Sequence, residues 1–336
     1  MKIKFLLFIS IIISGLSSAQ NAKIPDVEER FNFYIGSLKG NPISLQTLHY
    51  GVDTKNKDGA LVAKNNIIAE LNEDNNVSKK AKFVYNLGKA PKEIEQFDSI
   101  SKKFKKYKPL KVKGLRSWSE FKYNKAKKVS QIEEITYVFK NITSKRIFYK
   151  YNSKDSLTNI RHEDSQGNDL KIKTYTYNAN QLPYIYSFLV DEILVERSET
   201  KYNGKLKEKE VFYDRDNEVN FTLNFEYDDK NQVVIKSKYS KTEELLKTTK
   251  FTYFDNGKLQ LVTENVHSGE NEGVYSNTYD NEGKLLEHKV KNPSGEVITH
   301  YSFTYEFDAN QNVVKAVQTD ALKDKVVAVD RNRIIY

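Results

Sequence analysis

The chain has 336 residues, a formal net charge of +9, 12% aromatic residues and no cysteine. The lack of cysteine excludes a disulfide framework, thiolate metal ligands, a cysteine nucleophile and a lipoprotein anchor. With 22 Tyr and 18 Phe against one Trp and one Met, and with abundant Thr, Val, Ile and Asn, the composition reads as β rather than α.

At the N-terminus, Lys2 and Lys4 precede the apolar run Phe5–Ile13, which leads to Ser17-Ser18-Ala19 and Gln20. This is the order of a secretory signal peptide, over residues 1–19. The run is too short to span a bilayer, and no later stretch approaches the roughly 20 apolar residues a transmembrane helix needs. The mature chain is therefore expected in the periplasm, at the periphery of the outer membrane or outside a bacterial cell. Losing Lys2 and Lys4 leaves a charge of +7, which favours an acidic partner such as an envelope glycan or another polyanion. No nucleic-acid partner is expected of an exported chain.

Residues 20–120 are the least regular. Pro91 followed by Ile94, Phe97, Ile100 and Phe104 predicts a short helix over 91–104. Ala60–Leu71 fits helix or strand, and the polar, Asn-rich Asn72–Lys82 reads as a loop. Lys102, Lys103, Lys105, Lys106 and Lys108, interleaved with Phe104 and Tyr107, read either as a polyanion-binding patch or as a solvated face.

From Phe121 a pattern takes hold. The aromatic anchors Tyr123, Tyr151, Tyr177, Tyr202, Tyr227, Tyr253, Tyr279 and Phe307 recur every 25 to 28 residues, the spacing of a repeat architecture. After seven of the eight anchors comes Asn or Asp, which can bond its own backbone two residues on and start a turn. Gly257 and Gly283 sit where a hairpin loop needs a left-handed residue. Each anchor is thus the end of a strand entering a hairpin, and further turn signals at Asp164–Asn168, Asp214–Glu218, Ser240–Glu244, His267–Gly273 and Asn292–Gly295 split each repeat into two strands. Open sheets rarely exceed about ten strands without curling, and eight such units make about sixteen. The expected fold is a mainly all-β, twisted or coiled antiparallel β-meander of about eight two-stranded ~26-residue repeats over 121–319, with 320–336 as a last strand.

Alternation gives this sheet an aromatic face. Phe221, Phe225 and Tyr227 oppose Thr222, Asn224 and Glu226, and Tyr301, Phe303 and Tyr305 alternate in the same way. With Phe251 and Tyr253 these aromatics are the candidate binding residues, because rings beside Lys and Asn suit sugars. The alternative is that they are the sheet's own packing.

The motif Tyr279-Asp280-Asn281-Glu282-Gly283-Lys284-Leu285, approximated by Tyr227-Asp228-Asp229-Lys230-Asn231-Gln232-Val233, resembles the Tyr-Asp (YD) repeats of RHS-type proteins over about Phe121–Thr319. The resemblance implies extended β-sheets, which in large members wrap into a shell around a toxic C-terminal domain, and carbohydrate binding as a proposed role. This chain is too short for such a shell and ends at Tyr336 without a toxin-like domain.

Signs of chemistry are few. Asp214–Glu218 opens like a calcium loop, but Val219 and Phe225 stand where that loop needs Gly and a bidentate Glu. His49, His162, His267, His288 and His300 show no paired spacing, although a hairpin at Pro293–Gly295 could join His288 to His300. No nucleophile elbow, phosphate loop or dinucleotide fingerprint is present, so no catalytic residue, metal or cofactor is expected. The first reading is an exported, non-enzymatic β-repeat scaffold or binding protein of the bacterial envelope, whose partner is glycan or another envelope protein. An alternative is an envelope glycan-active enzyme with paired carboxylates. A third reading, an outer-membrane β-barrel, draws on strand length, alternation and Tyr336, and is opposed by Lys236, Lys238, Lys247 and Lys250 on the strands.

Overall fold

A computed structural model describes residues 25–52, 61–74, 76–84, 115–138, 141–269 and 271–336. The signal peptide, the helix expected over 91–104 and the lysines Lys102–Lys108 lie outside the described residues.

One helix, α1 (Val27–Gly36), precedes the strands β1 (Ser44–Val52), β2 (Leu61–Leu71), β3 (Val77–Val84), β4 (Leu115–Tyr123), β5 (Val129–Val138) and β6 (Asn141–Tyr151). There follow β7 (Leu157–Glu163), β8 (Asp169–Tyr177), β9 (Pro183–Val190), β10 (Ile193–Asn203), β11 (Leu206–Tyr213), β12 (Val219–Tyr227) and β13 (Val233–Ser240). The last are β14 (Leu245–Tyr253), β15 (Leu259–Val266), β16 (Gly273–Tyr279), β17 (Leu285–Lys291), β18 (Val297–Phe307), β19 (Val313–Asp320) and β20 (Lys325–Ile335).

All twenty strands belong to one sheet, and β1 pairs with β2 on one side and with β20 on the other. Strands from the two ends of the chain therefore meet, and the fold is a closed antiparallel barrel. This corrects the open, twisted meander of repeats expected from the sequence. An open sheet would leave a row of unpaired N–H and C=O groups on each edge strand, and closure satisfies them. The 26-residue pattern leaves out β1, and β20 falls in the last strand expected over 320–336, so the repeat held no sign that the two would pair.

The described chain divides into two units, residues 147–302 and residues 25–146 with 303–336. In the first, β7 to β17 each pair with the next strand through short turns. The turn chemistry is uniform. Asp228 N–H donates to Gln232 O at 3.0 Å, Asn231 N–H returns to Asp228 O at 3.0 Å, and Asp228 Oδ1 accepts from the N–H groups of Lys230 and Gln232 at 2.9 and 2.8 Å. The same arrangement recurs at Asn152, Asn178 and Asp280 and also at the intermediate turns Asp164 and Asp214, and at Asn292 the Ser294 hydroxyl takes the place of the N–H two residues on. Its fourth residue is left-handed, with φ of 61° at Asn231, 80° at Gly257 and 91° at Gly283. A short polar side chain that bonds the loop, followed by a residue tolerant of positive φ, is what this hairpin requires.

In the second unit the strands pair in the order β19, β20, β1, β2, β3, β4, β5. The loop expected over Asn72–Lys82 shrinks to a turn, with Asn72 N–H bonding Asn76 O at 2.9 Å, and β3 begins at Val77. Helix α1 starts with a capping box in which Asp26 accepts from the Glu29 N–H while the Glu29 side chain accepts from the Asp26 N–H. Phe31, Tyr34 and Ile35 lie at helical spacing and are buried as the helix packs on β1 and β2. Leu45, Ile67 and Ala69 of those strands are fully buried.

Candidate functional site

Strand register decides which side chains share a face. Across the first unit one row runs Phe251, Val262, Asn277, His288 and Tyr301, each residue directly opposite the next. A parallel row, offset by two residues, runs Phe225, Lys236, Thr249, Glu264 and Tyr275. Strand alternation adds Phe221, Tyr227 and Tyr253 to the same face. The six sequence-predicted aromatics of the first unit are therefore brought together on one face, while Phe303 and Tyr305 continue the alternation of β18 in the second unit. This face is the covered one: Phe251, Val262, Asn277, His288 and Thr249 are all at most 6% exposed. The opposite face carries Asn224, Glu226 and Lys250, all exposed.

The anchor tyrosines have a structural task. Tyr177, Tyr202, Tyr227 and Tyr253 donate their hydroxyls to the carbonyls of Leu157, Pro183, Lys207 and Val233 at 2.6 to 2.8 Å. Tyr123 does the same to Val77 O at 2.6 Å in the second unit. Each bond ties the end of one strand to the start of its hairpin partner. Burial pushes the Tyr202 and Tyr253 hydroxyls up to about 12.

Charge on this face is concentrated beside Phe221 and Phe225. Lys238 and Lys247 stand directly opposite one another across β13 and β14, and Lys236, opposite Phe225, is only 8% exposed. Lys207 pairs with Glu210 at 2.9 Å, and Lys247 pairs with Glu264 at 3.1 Å. Lys238 Nζ lies 4.0 Å from the Phe221 ring centroid and Lys207 Nζ lies 5.4 Å from that of Phe225. Phe221 itself stacks on Phe212, with centroids 4.4 Å apart and planes 17° apart. Burial, then the neighbouring Lys247, pushes the Lys236 ammonium down to about 8, and the same two causes lower Lys238. The sequence reading noted Lys236, Lys238, Lys247 and Lys250 as strand lysines but did not see that the first three gather on the aromatic face. The two-residue separation of Lys236 and Lys238, which puts both on one face of a strand, was the available signal.

A second cluster lies under α1. Asp330 Oδ2 accepts from Arg30 Nε at 2.7 Å and from the Tyr34 hydroxyl at 3.0 Å, and His49 Nδ1 donates to Asp330 Oδ1 at 2.6 Å. Burial alone would raise the Asp330 carboxyl, yet His49 and Arg30 hold it below the usual carboxylate range. His49 and Asp330 are a cross-strand pair of β1 and β20, so this cluster fastens the closing seam.

His288 and His300 are not brought together. Register places Tyr301 opposite His288 and Lys289 opposite His300, so the two imidazoles occupy opposite faces. His288 Nδ1 lies 2.8 Å from Asn277 Oδ1, and the ring stacks on Tyr301. Among the described residues no group of three or more His, Cys, Asp and Glu side chains is placed to hold a metal.

No protein-family model and no curated protein matches the chain. Among solved structures, it is similar to the RHS/YD-repeat complex TcdB2–TccC3, with TM-score 0.36 and 9% identity over 83% of this chain. The chain spans only 15 to 16% of the length of those proteins. It is also similar to a porin-like protein from Bacteroides uniformis ATCC 8492, with TM-score 0.33 and 8% identity over 88% of this chain and 96% of that one. At such scores a likeness assigns neither family nor function.

Proposed function

We propose that this protein is an exported β-barrel of the bacterial envelope that stands in water and binds its ligand on the aromatic face. The observation that carries this reading is that charged side chains stand on both faces of the first unit's sheet, with lysines sharing the face of the aromatic rings. Neither face offers lipid a continuous apolar band. Asn224, Glu226 and Lys250 stand on one and Lys236, Lys238 and Lys247 on the other, and a lysine facing lipid costs roughly 2 to 4 kcal/mol at the bilayer midplane. The connections between β7 and β18 are also short at both ends, none longer than His267–Glu272, whereas outer-membrane barrels carry long loops on one side.

A barrel that spans the outer membrane is the second reading. Closure through β1 and β20 and an even number of strands favour it over an open repeat scaffold. No helix among the described residues is long and apolar enough to cross a membrane, which says nothing about strands. Purifying the mature chain without detergent separates the two. The water-standing barrel stays monodisperse and does not float with liposomes. A chain that aggregates until detergent is added and floats with liposomes contradicts it.

A further inference from the structure

We propose that His49, Lys64 and Gly51 form a binding site for a small carboxylate at the closing seam, with one oxygen of the ligand on His49 Nε2 and the other on the Lys64 ammonium. The site lies in the second unit, apart from the aromatic residues of the first, so its test is independent of the reading of that face.

Three departures from ordinary strand structure meet there. The first is the imidazole of His49. An Asp330 oxygen 2.6 Å from Nδ1 requires the proton on that nitrogen, and Arg30 Nη2, 3.2 Å away, closes the same side of the ring. Nε2 is left without a hydrogen-bond partner among the described residues, and the side chain keeps 12% of its surface in water. A histidine held at one nitrogen by a carboxylate and open at the other is the form in which imidazole receives a ligand or a proton. The second departure is Lys64. Strands β1 and β2 pair His49 with Asn65 and Tyr50 with Ala63, so Lys64 is the extra residue of a bulge, a device that re-aims a side chain. Its ammonium has no ion pair among the described residues. The third is Gly51, two residues beyond His49 on the same face of β1. Its backbone is not left-handed, so no turn demands a glycine there.

A Cβ added at Gly51 would stand 3.3 Å from Lys64 Cγ, 3.8 Å from Lys64 Cε and 3.7 Å from His49 Nε2, and these side-chain atoms are the nearest to it. The bare backbone therefore lies between the imidazole and the lysine stem. Glycine inside a strand weakens it and marks a place where a ligand or another chain segment approaches closely. Across the seam Gly51 is opposite Ala328, which keeps the floor low. Charge selects the ligand. Around His49 stand Asp330 from β20, Arg30 and Tyr34 from α1, and Asn65 and Lys64 from β2, while Tyr305 of β18 bears on Arg30 and Tyr34. Arg30 and Asp330 offset one another at 2.7 Å and Tyr34 keeps its proton, so Lys64 is the unmatched charge among them. A monoanion with two oxygens matches one lysine and one imidazole N–H. Where the ring is neutral, the complex takes up the proton that Nε2 needs in order to donate.

The test is titration of the full mature protein with propionate, with its uncharged counterpart propionamide and with sulfate, followed on the histidine ring signals by NMR and by calorimetry. Propionate is expected to shift, saturably, the ring signals of one histidine, the one that His49→Gln removes. At about pH 8, where an ordinary imidazole is neutral, heats measured in Tris and in HEPES are expected to differ by the ionisation of buffer that supplies a proton with each propionate. Lys64→Met is expected to weaken binding about tenfold or more. Gly51→Ala is expected to weaken it likewise while the thermal midpoint stays unchanged or rises, since alanine suits a strand of ordinary φ better than glycine. A glycine kept only for packing would show the reverse, and Lys64→Met carries the same readout should the alanine variant fold poorly. Propionamide binding as tightly as propionate, or sulfate binding more tightly, overturns the carboxylate assignment. Binding without proton uptake overturns the role of Nε2. No saturable shift of the His49 signals, or binding undiminished in both variants, overturns the site.

Discussion

Replacing Asp330 with Asn tests whether the cluster under α1 fastens the barrel. The carboxylate is 4% exposed and Arg30 16%, and the substitution keeps the shape while removing the charge that Arg30, Tyr34 and His49 all address. Removing one partner of a buried ion pair strands the other, at about 3 to 5 kcal/mol. Urea unfolding at neutral pH should show a loss of that order in Asp330→Asn. Adding Arg30→Met should recover part of it, because the stranded cation then disappears. The sign with pH follows from the depressed carboxyl. Its stabilisation is present above the ordinary value of 3.8 and is lost as pH falls through the still lower value in the folded state. The gap between parent and variant should therefore narrow on acidification below 3.8. A loss of under about 1 kcal/mol, no larger than an ordinary substitution gives, together with a gap that does not change with pH, would refute the reasoning.

Other outcomes follow from single contacts. Tyr253→Phe removes the bond to Val233 O and should cost about 1 kcal/mol in urea unfolding. Tyr202→Phe and Tyr227→Phe should add to it nearly independently, since each serves a different hairpin. Gly273→Ala should destabilise by about 1 to 3 kcal/mol, because Gly273 has φ of +149° and an added Cβ would lie 2.5 Å from Lys291 O. Glu28, held down to about 2 by Lys80 and Lys82 against the effect of burial, should make the parent lose stability as pH falls from 4.5 toward 2, and Glu28→Gln should flatten that part of the profile.

The local parts of this fold were legible because their causes are local. Asp228 or Asp280 bonding its own loop, with Asn231 or Gly283 left-handed behind it, is written within five residues, so the hairpins and the common face of Phe225, Phe251 and Tyr301 could be read. Closure could not, because Ser44 meets Ile335 across almost the whole chain and no period links them. Helix α1 carried its signals in Asp26, Glu29, Phe31, Tyr34 and Ile35 and was overlooked in favour of 91–104. The lysine cluster needed register as well as alternation: Lys238 and Lys247 become neighbours only once β13 and β14 are aligned, and the same alignment sends Lys250 to the other face.

Closure of the barrel is the central claim, and the natural absence of cysteine allows a direct test. Gln46 and Arg333 are directly opposite across β1 and β20, whereas Arg331 is opposite Leu48. In native protein carrying Gln46→Cys and Arg333→Cys, mild oxidation should form an intramolecular disulfide, seen as faster migration of the denatured, unreduced chain, because directly opposite strand residues lie within disulfide reach. Gln46→Cys with Arg331→Cys, two residues out of register, should oxidise far less. Failure of the first pair to close, or closure only between molecules, would show that the ends of the sheet are apart and would contradict the closed barrel.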